Sequence, residues 1–482
     1  MFNVRLILKI LGFLLIIEGF SMLVAMAVAF LYHGPDGMTL LQTASVCMVT
    51  GGIAVSLTRK AGKTISKNDG FLIVSLVWII FSFFGSLPFL IDGSIPTITD
   101  AFFETMSGFT TTGASILNDI EALPHGLLFW RSMTQWLGGM GIIVLSLAVL
   151  PVFGIGGMQL FAAEVPGPVT DKLNPKISQT AKNLWAIYIL FTAMETILLW
   201  AGGMDLFDAV NHSFTTMATG GYSTKQASVA YWDSPYIHYV ITLFMFIAGA
   251  NFTLTYSALT GKFERVYKDE EFKYYVLFAA VFTVVIFGGL LTTTELQAEH
   301  ALRDALFQVV SVMTTTGYAT TDYMVWTPIL TYVLFALFFF GGCAGSTGGG
   351  IKIMRIVVLL KNSYYELRRI LHSSAVIPVR LNRRAVSDQI ITNVLAFFMI
   401  YLLIFFISSI ALTIVEPDLE SAMGAVATSL GNIGPGLGDF GPAFNFYELH
   451  PAGKWLLAFL MLLGRLELFT VLVLFAPAFW KK

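Results

Sequence analysis

Charge is what this chain lacks most: of its 482 residues, 12% are Asp, Glu, Lys or Arg and 56% are hydrophobic. A soluble domain carries roughly 25% charge to cover its surface, so a water-soluble fold is excluded. Cysteine is nearly absent. Cys47 and Cys343 both sit in apolar runs, read as small hydrophobes, and supply neither a disulfide framework nor a thiolate metal centre. The seven histidines have no ligand spacing, and no Ser/His/Asp arrangement emerges. No nucleotide-binding fingerprint appears, so ATP hydrolysis on this chain has no candidate residues. The net charge of −2 offers nothing to nucleic acid.

What the chain has is apolar length. It carries 42 Phe and a mean hydropathy of +0.76. Runs of about 20 apolar residues, enough to cross a ~30 Å hydrocarbon core, recur from end to end. They predict ten spans, near 5–31, 38–57, 70–91, 126–150, 183–203, 236–258, 273–293, 327–360, 390–415 and 453–479. The first is too long for a signal peptide and reads as a retained span. The fold class expected is an all-α polytopic membrane protein. With both termini on one face, 23 of the 28 Lys and Arg residues fall on that face, leaving Arg131, Lys225, Arg303 and Lys454 opposite and Arg465 inside a span. Positive-inside bias makes the basic face, with both termini, cytoplasmic.

Four ungapped 16-residue segments lie between span pairs: 100–115 (DAFFETMSGFTTTGAS), 208–223 (DAVNHSFTTMATGGYS), 304–319 (DALFQVVSVMTTTGYA) and 421–436 (SAMGAVATSLGNIGPG). Helices of about ten residues reach only ~15 Å, so these segments dip into the membrane without crossing it. The unit is span, re-entrant pore helix and hairpin, span. Two N-terminal helices (1–66) precede four parallel copies at 67–152, 153–260, 261–362 and 363–482, the third with a broken second helix, around a pseudo-fourfold pore.

Each hairpin carries a glycine at one offset: Thr111, Thr112 and Gly113; Thr219, Gly220 and Gly221; Thr315, Thr316 and Gly317; Asn432, Ile433 and Gly434. Non-helical backbone survives at membrane depth only when buried in protein or lining a cavity. Glycine permits the positive φ that lets consecutive carbonyls point at one axis. Convergent pore-helix C-termini favour a cation, and a ring without carboxylates suits a weakly hydrated monovalent ion better than Ca²⁺. The expectation is that Gly113, Gly221, Gly317 and Gly434 meet about one axis. Asp100, Asp208 and Asp304, at the outer starts of the pore helices, either cap helix N-termini, the favoured expectation, or gather cations in an outer vestibule.

These loops look like degenerate versions of the potassium-channel filter pattern TVGYG, and their four-in-one-chain arrangement resembles the Trk/Ktr/HKT superfamily of potassium transporters. The strings GFTTTGAS, TGGYS, TTTGYA, GGCAGSTGGGIK and NIGPG carry the resemblance. The length and the two leading spans resemble the bacterial Trk membrane subunit. The resemblance implies K⁺ uptake across the inner membrane through a filter formed by the twelve hairpin residues. It also implies homodimers, possible symport of H⁺ or Na⁺, and a cytosolic ring of regulatory subunits that bind NAD or ATP. K⁺ is the transported ion; no organic cofactor is expected, and the chain is not expected to be an enzyme.

Below the hairpins the second spans align at Gly139, Gly249, Gly342 and Gly464, which either pack helices closely or line the pore. The third repeat runs Gly341, Gly342, Cys343, Ala344, Gly345, Ser346, Thr347, Gly348, Gly349, Gly350, Ile351, Lys352. Six glycines in ten residues, at ~1 kcal/mol each relative to Ala, break the helix. Ile351 stands where a P-loop lysine belongs, which discards that motif. The stretch is a candidate gate, and the family implies an obstructing intramembrane loop there. Arg465, costing ~2.5 to 3.5 kcal/mol in lipid, should face the pore or pair with Glu467 or hairpin groups. The segments 361–388 and 151–182 are the largest inner surfaces, either positive-inside anchors or docking sites for the ring. Competing readings are a Na⁺-permeable or Na⁺-coupled member of the superfamily, an alternating-access solute carrier, which would favour inverted repeats, and a membrane enzyme built on Ser346 or a span carboxylate. Gly113 favours K⁺, because Na⁺-preferring plant relatives resemble this family with Ser there.

Overall fold

The structure is a computed structural model that describes residues 2–62, 65–141, 177–372 and 377–481, with residues 177–180 described as backbone. The second half of the expected span 126–150, most of the inner segment 151–182 and residues 373–376 of the segment 361–388 lie outside the described residues.

Among the described residues six helices are long and apolar enough to cross a bilayer unbroken: Val4–Leu31, Gly37–Leu57, Lys67–Asp92, Ala181–Ala201, Glu270–Thr293 and Asp388–Leu412. They are the two leading helices and the first span of each repeat. Outward faces rich in exposed apolar side chains, such as Val284, Ile407 and Ile410, suit hydrocarbon as the solvent. The chain is a polytopic helical membrane protein.

The second spans correct the sequence reading. The sequence predicts a break only in the third repeat, yet bends occur elsewhere too. Pro235–Gly249 meets Phe252–Leu259 at 109°, and Pro451–Arg465 meets Phe469–Phe475 at 110°. In the third repeat Pro328–Leu337 and Ile353–Leu371 are separated by the glycine-rich stretch. In the first, His125–Gly139 stops before Gly141, which has φ +63°. The causes are local. Asn251 is extended and its side chain accepts from Thr253 N at 2.8 Å, capping a new helix. Glu467 and Leu468 take φ of +53° and +57°, which no helix continues through. Proline at the first turn opens three of these second-span helices, where its missing N–H costs nothing.

Four short helices, Ile98–Phe109, Leu206–Met217, Ala298–Met313 and Leu419–Gly431, are almost wholly buried and end at the hairpins. Asp100, Asp208 and Asp304 do not cap them. Side-chain caps come from Thr97, Asp205 and Asp418. Asp208, in the first turn of its helix, and Asp304, a turn further in, instead accept from Thr224 Oγ1 (2.7 Å) and Thr320 Oγ1 (3.1 Å), stitching each helix to the outer limb of its own loop. Asp100 accepts from Lys454 Nζ at 2.6 Å and from Thr97 Oγ1 at 2.6 Å. Asp100 and Asp208, in the first turn, complement the helix dipole from there.

The leading helices pack on each other through Gly12, Gly19 and Gly51; a Cβ on Gly12 would lie 2.8 Å from Gly51 O. Their connecting turn reaches the first repeat. Buried Asp36 accepts through Oδ2 from Leu127 N at 2.8 Å, in the open first turn of His125–Gly139.

Candidate ion-conducting site

Each hairpin begins with the same bond: the N–H groups of Thr112, Gly220, Thr316 and Ile433 donate to the carbonyls of Ser107, Thr215, Ser311 and Thr428 at 2.8, 2.8, 2.8 and 3.0 Å. The turn residue before it is left-handed in all four, with φ of +54° at Thr111, +52° at Thr219, +59° at Thr315 and +54° at Asn432. Asn tolerates that region; threonine, being β-branched, rarely enters it. Two residues on, Gly113, Gly221, Gly317 and Gly434 are left-handed again, at +85°, +74°, +80° and +111°. Alternating handedness brings neighbouring peptide groups to one side of the chain.

The hairpins close into a cycle in chain order. A Cβ on Gly113 would overlap Gly220 O; on Gly221, Thr316 O; on Gly317, Ile433 O; and on Gly434 it would lie 2.9 Å from Thr112 O. The twelve hairpin residues singled out by sequence therefore come together, each glycine facing the carbonyl of the next loop. Fourfold equivalence fails at Gly220, whose carbonyl accepts from Gln135 Nε2 at 2.7 Å while Gln135 Oε1 accepts from Tyr222 N at 3.0 Å.

Side chains behind the ring join adjacent repeats. Tyr222 Oη donates to Glu104 O at 2.6 Å, Tyr318 Oη bonds Thr215 Oγ1, and Tyr323 Oη donates to Gly436 O at 2.8 Å. Asn432 Nδ2 donates to Thr112 Oγ1 at 2.9 Å, closing the fourth repeat on the first. A buried pair, Glu104 and Arg131, lies behind the first two loops. Sequence reasoning missed it, counting Arg131 among the outer charges.

The glycine-rich stretch is a hairpin under the ring, its base tied by Gly341 N to Ile351 O at 2.8 Å. Thr347 Oγ1 donates to Met217 O at 3.1 Å, Gly349 N donates to Thr315 Oγ1 at 2.7 Å, and a Cβ on Gly349 would lie 2.6 Å from Gly431 O. The loop thus touches the second, third and fourth hairpins. Gly345 packs on the Asn251 side chain, Gly348 lies beneath Thr314 and Thr315, Gly350 takes φ +64°, and Lys352 Nζ donates back to Gly348 O. Buried Ser346 Oγ has no hydrogen-bond partner among the described residues.

Arg465 completes the underside. It donates through Nη1 to Thr111 Oγ1 (3.1 Å) and Thr347 O (2.6 Å), and through Nη2 to Gly138 O (2.6 Å) and Gly139 O (2.9 Å). It thereby binds hairpin groups, as expected, while Glu467 pairs with Arg355. The aligned glycines serve close packing: a Cβ on Gly139 would meet Ala218 Cα at 2.6 Å, and one on Gly249 would meet Thr314 Cγ2 at 2.6 Å. A second missed residue is Glu271, whose Oε1 accepts from Ala344 N (2.7 Å) and Met354 N (3.1 Å), holding both limbs of the loop. No sequence spacing announces it, because its partners are backbone groups.

The family model described as TrkH, cation transport protein, matches residues 36–482. The Trk system potassium uptake protein TrkH of Escherichia coli K12 is 44% identical over 484 residues, covering 99% of each chain. That of Halomonas elongata is 40% identical over the whole of both chains. The crystal structure of the potassium transporter TrkH from Vibrio parahaemolyticus superposes with a TM-score of 0.90 at 39% identity, covering 99% of this chain and 100% of that one. These relatives are named as transport proteins, not enzymes. The chain belongs to the TrkH family of cation transport proteins.

Proposed function

We propose that this chain takes up K⁺ across the bacterial inner membrane, with both termini cytoplasmic and the four hairpins opening outward. The observation that carries this reading is the closed cycle in which the glycine of each loop faces the carbonyl of the next. Residues 111–113, 219–221, 315–317 and 432–434 form the filter, within four repeats bounded at 67–152, 153–260, 261–362 and 363–482. Carbonyls in such a ring replace the hydration shell of the ion. The relatives, named for potassium uptake, support K⁺ as the cargo.

The loop 341–350 is the gate. Its contacts with three hairpins and with Arg465 support that reading. A fixed guanidinium there lowers ion occupancy below the filter and eases release. The membrane potential drives uptake, worth ~2.3 kcal/mol per charge per 100 mV, or roughly fifty-fold accumulation. The basic inner surface docks a cytosolic ring of nucleotide-binding regulatory subunits, and two chains pair as a homodimer.

The test is growth of a K⁺-uptake-deficient bacterium on low K⁺, with the cytosolic partner present. The parent chain rescues growth, and Gly113→Ser, whose Cβ collides with Gly220 O, takes up Na⁺ as well as K⁺. Absence of rescue by the parent rejects the reading.

A further inference from the structure

One junction between neighbouring hairpins is built on an ion pair. Glu104, in Ile98–Phe109, and Arg131, in His125–Gly139, meet at 2.7 Å from Oε1 to Nε, with side chains 1% and 3% exposed. A pair so far from water offsets its desolvation only when its remaining polar groups are satisfied and its geometry is good. Both conditions hold. Glu104 also accepts from Ser115 Oγ at 3.0 Å and from Ile116 N at 2.9 Å. Arg131 donates to Ser223 O at 2.9 Å and lies 3.5 Å over the Tyr222 ring, whose hydroxyl returns to Glu104 O at 2.6 Å.

The partners of the pair are the limbs by which loops 1 and 2 leave the ring, residues 115–116 and 222–223. Ser115 and Ser223 occupy the same place in the repeat, two residues beyond Gly113 and Gly221. The pair therefore fixes how far apart two adjacent loops stand. At the position of Glu104 the other repeats hold His212, Gln308 and Ala425. His212 keeps the serine contact, Nε2 to Ser223 Oγ at 2.9 Å. A charged brace at this position belongs to the first repeat alone.

We propose that the Glu104–Arg131 pair determines ion selectivity: it holds loops 1 and 2 at a fixed spacing, so the ring cannot contract around a cation smaller than K⁺. Neither side chain touches the ion; both act as positioning residues through residues 115–116 and 222–223. The inference rests on the reading of the hairpins as the filter.

The test compares the parent, Arg131→Met, the double variant Glu104→Leu/Arg131→Met, and Gly113→Ser, in cells lacking their own K⁺ uptake systems. Protein extracted in detergent and monodisperse on gel filtration gives the folded amount, and initial rates of K⁺ and Na⁺ uptake are expressed per folded molecule. Arg131→Met strands a buried carboxylate and lowers the folded amount; removing both charges restores it. The double variant still transports K⁺, but its preference for K⁺ over Na⁺ falls about tenfold, equivalent to 1.4 kcal/mol. A folded double variant with the parental preference overturns the proposal. So does a double variant that yields no folded protein, because the pair then serves folding. If Gly113→Ser loses the preference while the folded double variant keeps it, the brace alone falls; if Gly113→Ser also keeps it, the filter reading falls with it.

Discussion

The guanidinium of Arg465 donates to the carbonyl oxygen of Thr347 at 2.6 Å, joining the bend of the last repeat to the loop beneath the ring. The same side chain reaches Thr111 Oγ1 and the carbonyls of Gly138 and Gly139. One cation therefore links the first hairpin, the end of its following helix and the loop 341–350.

Arg465→Ala removes all of these bonds at once. Hydrogen bonds to a charged group contribute roughly 1.5 to 3 kcal/mol each, so losing one held only in the closed arrangement raises the open population about tenfold or more. Uptake of Rb⁺ by proteoliposomes should rise by that order without the cytosolic partner. A rate equal to the parent's would show that the arginine does not hold the gate.

Glu271 makes the complementary prediction. Its one oxygen receives N–H groups from Ala344 and Met354, on either side of the loop. Glu271→Gln keeps a carbonyl acceptor and should leave the basal flux within about twofold. Glu271→Ala strands one buried donor, Met354 N, and one part-buried donor, Ala344 N, at up to roughly 1 to 3 kcal/mol each, and should raise basal flux and proteolytic cleavage at residues 341–350 together.

At the ring, Gly221→Ala and Gly317→Ala should, like Gly113→Ser, lose the preference for K⁺ over Na⁺. Each new Cβ would overlap a carbonyl of the next loop, at a residue held at φ +74° or +80°. Gly261→Ala is the control. It has a similar φ of +78° but nothing within 4 Å, so it should cost about 1 kcal/mol of stability and leave the uptake rate per molecule unchanged.

Asp36→Ala separates stability from transport. It frees Leu127 N in the first turn of a buried helix, which costs about 1 to 3 kcal/mol. The melting temperature in detergent should fall by several degrees. Uptake per folded molecule should stay at the parental level.

The hairpins were legible because four copies of one pattern share a glycine offset, and a single chain that repeats a loop four times can close it on itself. The left-handed threonines were not legible, since Thr111, Thr219 and Thr315 belong to a residue type that avoids φ above zero. Their strain becomes visible only once the ring imposes it. The bends were missed for a related reason. Hydropathy measures how much of a segment is apolar and says nothing of where it turns, and neither Asn251 nor the pair Glu467 and Leu468 carries a proline or glycine signal. Asp100 and Asp208 were misread because a cap and a first-turn acceptor differ by three residues, within the error of any boundary placed from sequence, and Asp304 because its helix starts two turns earlier than the repeat suggests. Glu104 and Arg131, 27 residues apart, meet only because the re-entrant helix folds back against the span that follows it.

The proposed uptake rests on four hairpins that hold K⁺ on one shared axis. Anomalous diffraction from crystals soaked in Tl⁺ or Rb⁺ tests it directly. The account predicts a peak enclosed by residues 111–113, 219–221, 315–317 and 432–434; anomalous density found only elsewhere in the protein, with none inside that ring, would contradict it.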